Sequence, residues 1–87
     1  MSKLEKRVAS LLRDSSDYAF SDLKKVLLAF GYTEVRVQGS HHTFRDEKGH
    51  VQVVPKKGGK KVKKPYVKRA AKILKLEEWY EQQKKDS

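Results

Sequence analysis

Apolar residues recur at helical intervals in two early segments. In SKLEKRVASLLRD, Leu4, Val8, Leu11 and Leu12 fall on one side of a helical projection with charged residues between them, which predicts a short amphipathic helix over residues 3–13. The DSSD stretch at residues 14–17 closes it. The clearer pattern is in SDLKKVLLAFGY: Leu23, Val26, Leu27 and Phe30 stand at i, i+3, i+4 and i+7, Ser21 is placed as an N-cap, Asp22 lies in the first turn and Gly31 follows the last. Past Gly31 the period drops to two. Val35 and Val37 share one face of TEVRVQ and Glu34, Arg36 and Gln38 the other, predicting a half-buried strand. HHTFRD forms a second strand after Gly39 and Ser40. Asp46-Glu47-Lys48-Gly49 then reads as a hairpin turn into HVQVVP, a third strand with Val51 and Val53 on one face.

Three short strands with tight connections make an antiparallel sheet, and helices are the only elements left to cover it. In the run KKGGKKVKK, residues 56–64, six of nine residues are lysine and only Val62 is apolar, so a mobile loop is expected. Pro65 sits where a helix begins, and Val67, Ala70, Ala71 and Leu74 give PYVKRAAKILKL its buried stripe. EEWYEQQKK has no Gly or Pro and either continues this helix or starts another after a bend, with Trp79 and Tyr80 set to pack on the N-terminal helix or a partner. The predicted class is α+β. The order is that of the α-β-β-β-α fold of double-stranded RNA-binding domains: a three-stranded antiparallel sheet with helices on one face. An extra N-terminal helix (residues 1–13) and a helical C-terminal extension (residues 77–87) are added to it, within a single domain of residues 1–87.

Charge narrows the partners. Lys and Arg number 21 against 11 Asp and Glu, a net charge of +10, which attracts a polyanion at long range and points first to nucleic acid. No segment approaches the ~20 apolar residues of a membrane-spanning helix and no signal-peptide pattern is present, so neither a membrane nor export is expected. The absence of cysteine removes disulfides and thiolate zinc sites and fits a cytoplasmic location.

Candidate chemistry is concentrated in QGSHHTF, where His41 and His42 stand side by side in a chain with one other histidine, His50. Imidazole changes charge near neutral pH and serves as a general acid or base. A histidine pair in a strand is also often simply solvated or hydrogen-bonded. Gly39 can supply a positive φ at a bend and Ser40 a turn hydrogen bond, and His50, beside a turn, reads as structural.

From Ser21 to Leu74 the chain resembles the HicA toxins. A helix ending in Gly31, a strand, the motif Gly39-Ser40-His41-His42, a third strand ending in Pro55 and a C-terminal helix follow one another at that family's spacing. Many members carry a histidine two residues after the proline, where this chain has Lys57. The N-terminal helix and the stretch after Leu76 lie outside the minimal family core and point to an added packing surface or a homodimer interface. The resemblance implies the toxin of a type II toxin-antitoxin system: an endoribonuclease that cleaves mRNA without the ribosome, using a histidine of this motif and no metal or cofactor. It also implies silencing by a HicB-like antitoxin that covers the active face.

Such chemistry is simple to assemble. RNA carries its own nucleophile, so a base need only remove the 2′-OH proton, while a positive surface holds the phosphate and its developing charge. Alternation places His42 on Phe44's face and His41 with Thr43 and Arg45 on the open face, which makes His41 the first candidate base. His42 stays in the site because a bulge after Ser40 would exchange the two. Ser40, Arg45, Lys56 and Lys57 are candidate phosphate contacts, and Lys60, Lys61, Lys63 and Lys64 a candidate RNA clamp. Two other classes remain open: a non-catalytic double-stranded RNA-binding module, which carries lysines at the start of its last helix as KKVKKP does, and a subunit that binds a protein partner through its terminal helices.

Overall fold

The computed structural model describes residues 2–13 and 18–86; the DSSD segment expected to close the first helix lies outside them. In chain order the elements are α1 (Lys3–Leu12), β1 (Tyr18–Ala19), α2 (Phe20–Ala29), β2 (Thr33–Gln38), β3 (His41–Arg45), β4 (Val51–Pro55), β5 (Lys61–Val62), α3 (Lys64–Ile73) and α4 (Leu76–Asp86). β2, β3 and β4 form an antiparallel sheet in that order, while β1 and β5 pair separately. The α+β arrangement expected from the sequence is therefore present, with four helices.

Local chemistry explains where the helices start. Ser2 caps α1: its hydroxyl accepts the Glu5 N–H at 3.1 Å, and the Glu5 carboxylate accepts the Ser2 N–H at 3.4 Å. Ser21 does not cap α2, contrary to the sequence reading. The helix begins two residues earlier, at Phe20 with Ala19 at the cap position, and the Phe20 N–H is taken by the Lys60 carbonyl at 2.8 Å.

The core is built from Val8 and Leu11 of α1, Leu23, Val26 and Leu27 of α2, Phe44 and Val54 of the sheet, Val62, Val67 and Ala70, and Leu76. Phe44, Leu23, Leu27 and Leu76 are fully buried, each worth about 1.5–3 kcal/mol relative to exposure. α3 buries the predicted stripe. α4 is a new helix, set off by Lys75 at φ 54°, and Trp79 packs edge-on against Phe30 at 5.4 Å, on α2.

Alternation in the sheet holds on β3 and β4 and departs from expectation on β2. His42 and Phe44 of β3 and Gln52 and Val54 of β4 face the helices. Val51 and Val53 do share a face, but it is the open one, where they are 54% and 42% exposed. On β2 the register shifts between Glu34 and Arg36: Glu34 lies opposite Phe44, Arg36 opposite Thr43, and Val35 has no partner. Val35 and Val37 are accordingly more than half exposed rather than forming a covered face. The bulge turns Val35 outward and Glu34 inward, while Val37, on the face of His42, is exposed because β2 is the edge strand.

The lysine run is not a mobile loop. Lys61 and Val62 pair antiparallel with Ala19 and Tyr18, and Val62 is fully buried. The turn before them is closed by Lys57 N–H to Lys61 C=O at 2.6 Å and the reverse bond at 3.0 Å. Gly58 and Gly59, at φ 59° and 77°, supply the left-handed conformations such a turn needs. One apolar side chain suffices because main-chain pairs hold both flanks.

Candidate active site

Gly39, at φ 61°, turns the chain from β2 into β3. An added Cβ would meet nothing within 4 Å, so the requirement there is backbone conformation and not space. The Ser40 carbonyl accepts the Lys56 N–H at 2.7 Å, which ties the end of β4 to this turn. Ser40, His42 and Lys56 are thereby held on adjoining backbone.

His42 is 7% exposed, on the inner face of β3. Its ring lies 4.4 Å from that of Phe20 at the start of α2, and its Nδ1 is 2.7 Å from Oε2 of Glu34. The other carboxylate oxygen, Oε1, is 3.4 Å from Nζ of Lys24 on α2. The hydrogen bond from His42 holds the Glu34 carboxyl below its ordinary value; Lys24 adds to the effect, and desolvation opposes it. An ionised carboxylate only accepts, so Nδ1 carries the proton and Nε2 the lone pair. Among the described residues, the one side-chain nitrogen or oxygen buried with no partner is Nε2 of Gln52. Lys56 completes the group, its Nζ 4.9 Å from the centre of the Phe20 ring that His42 also touches.

The remaining sequence candidates are dispersed. His41 is exposed on the open face opposite Gln38 and Pro55, as alternation predicts, and has no hydrogen-bond or ion-pair partner among the described residues. Arg45 is on that same open face, away from the His42 ring. Lys57, Lys60, Lys61 and Lys63 are exposed along the turn and β5, and Lys64 sits in the first turn of α3. His50 bonds to Asp46 of the hairpin turn, with its Nδ1 2.8 Å from Oδ2. Among the described residues no three His, Asp or Glu side chains gather as a metal would require. No helix among them is long and apolar enough to cross a membrane. A cavity of about 640 Å³ between α1, α3 and α4, lined by Leu11, Tyr18, Val67 and Lys68 among others, takes in Lys64 but none of Lys24, Glu34, His41, His42 and Lys56.

Sequence reasoning missed Glu34 and Lys24. Glu34 was assigned to the polar face by an alternation that the bulge breaks, and Lys24 reads as an ordinary surface lysine of an amphipathic helix. No motif marks either. Together the residues can abstract a proton at Nε2 of His42, hold the resulting charge against Glu34, and present a cation at Lys56.

A family model described as the HicA toxin of bacterial toxin-antitoxin matches residues 20–76, from the first residue of α2 to the first of α4. The matched stretch is well over half of the chain and contains Lys24, Glu34, His41, His42 and Lys56. No curated protein and no solved structure matches.

Proposed function

The chain belongs to the HicA family of toxins of bacterial toxin-antitoxin systems, and from that premise we propose that it is a ribosome-independent endoribonuclease of mRNA whose general base is His42. The carrying observation is the 2.7 Å contact between His42 Nδ1 and Glu34, which leaves Nε2 as the available lone pair. His41 is more accessible but has no group to fix its tautomer or to receive the charge it would gain.

In the proposed reaction Nε2 of His42 takes the proton of a 2′-OH, and O2′ bonds to the adjacent phosphorus. The bond from phosphorus to O5′ breaks, the leaving oxygen takes a proton from water, and the hydroxide so formed is neutralised by the proton that His42 gives up to solvent. The products are a 2′,3′-cyclic phosphate and a 5′-hydroxyl. Lys56, half-buried beside His42's neighbour Phe20, is a candidate to meet the phosphate as its negative charge grows. A toxin of this kind has an antitoxin partner. We take that partner to be HicB-like and to silence the toxin by covering the His42 side of the molecule.

The test is incubation of a long single-stranded transcript in EDTA with wild type, His41→Ala and His42→Ala, all checked for folding by circular dichroism. Wild type is expected to cut, His41→Ala to retain most activity, and His42→Ala to lose about 100-fold or more. Intact RNA with wild type, or full activity in His42→Ala, would overturn the assignment. Binding to duplex RNA without cleavage would leave the non-catalytic module as the better reading.

A further inference from the structure

We infer that Glu34 is a positioning residue for His42, placed there by the β2 bulge and steadied by Lys24; this rests on His42 being the base. Without the bulge, regular alternation back from Val37, which lies opposite His42, would point Val35 inward and Glu34 out to solvent. The shift between Glu34 and Arg36 reverses this. A valine is left 56% exposed, and a carboxylate takes the inner position against the imidazole.

That exchange makes no sense for packing alone, since it forgoes the burial of an apolar side chain. It does make sense for catalysis. A carboxylate on Nδ1 fixes the ring's orientation and tautomer, and it stabilises the imidazolium that forms when Nε2 accepts a proton. Lys24 of α2 holds the far oxygen of the same carboxylate at 3.4 Å, so Glu34 is fastened at both oxygens. Bulges of this kind commonly re-aim one side chain next to a site.

Glu34→Gln preserves shape while removing the charge, and its amide N–H can donate to Nδ1 and drive the proton onto Nε2, the wrong tautomer for a base. The experiment measures kcat and KM on an oligoribonucleotide for wild type, Glu34→Gln, His42→Ala and the double variant. Binding of a 2′-O-methyl oligonucleotide, which lacks the nucleophile, is measured alongside. Glu34→Gln is expected to lower kcat by roughly 10- to 100-fold, part of the range seen for general acid-base groups, with 2′-O-methyl binding changed by less than about threefold. Adding Glu34→Gln to His42→Ala should cost nothing further, because the residue acts through the ring. If wild type cuts and Glu34→Gln cuts with unchanged kcat, or lowers the rate equally in both backgrounds, the inference fails while the endoribonuclease reading stands. If wild type does not cut at all, both fall.

Discussion

Glu34 also has a consequence for stability, and its sign is set by the direction of its titration. Its carboxyl is held below the ordinary value of 4.5, first by the hydrogen bond with His42 and then by Lys24, so the unfolded chain binds this proton more readily than the folded one. The pair's contribution is therefore in place above pH 4.5 and is lost as the pH falls through the lower folded value. For a partly exposed group it amounts to about 1 kcal/mol or less. The melting temperature of Glu34→Gln should lie a few degrees below wild type at pH 7, with the gap narrowing as the pH falls below 4.5; a gap of the same size at every pH would show that the ionised pair does not stabilise the fold. Half of this pair was legible in the sequence. Phe44 fixes the inner face of β3, and period two then assigns His42 to it and His41 to the other, as the structure has them. Glu34 was not legible, because TEVRVQ contains no glycine or other mark of an extra residue, and alternation read through a bulge gives the opposite face.

Two junctions between elements differ from what local pattern suggests, for related reasons. Val62 looks too isolated among lysines to order anything, yet two main-chain pairs with Tyr18 and Ala19 and one buried side chain convert the run into β5. Pairing across more than forty residues leaves no periodic trace in either short segment. The α3–α4 bend was foreseen as one of two options, but its position was not, since helices usually break at glycine and here the left-handed residue is Lys75, at φ 54°. A side chain in that region costs about 1–2 kcal/mol, against the roughly 0.5–1 kcal/mol of extra entropy that glycine loses on folding. Lys75→Gly should therefore stabilise the chain by about 0.5–1 kcal/mol, read as a higher urea midpoint at unchanged slope. A lower midpoint would mean that the lysine side chain contributes a contact that outweighs its backbone strain. α1 and the stretch after Leu76, outside the matched residues 20–76, pack on the rest of this chain: Val8 and Leu11 of α1 join the core, and Trp79 meets Phe30.

At the scale of the whole molecule the net charge of +10 has to be weighed by where it is fixed. Because the 56–64 run is folded, its backbone occupies a defined position, and the run is joined to the site itself: the Lys60 carbonyl holds the Phe20 N–H, and the Phe20 ring touches both His42 and Lys56. On the proposed reading, RNA held by the exposed Lys60, Lys61 and Lys63 would lie on a segment bonded to the start of α2, whose Phe20 touches His42. Binding through phosphates releases counterions, so the logarithm of affinity falls linearly with the logarithm of salt, by about 0.7 per neutralised phosphate on a single strand. Replacing Lys60, Lys61, Lys63 and Lys64 with Gln should weaken binding of 2′-O-methyl RNA and flatten that slope by as much as about 3 if each meets a phosphate. The cutting rate at saturating RNA should change far less, since Glu34, His42 and Lys56 are untouched. An unchanged salt slope would show that β5 and its turn serve only to brace Phe20, and that the phosphates are met elsewhere on the surface.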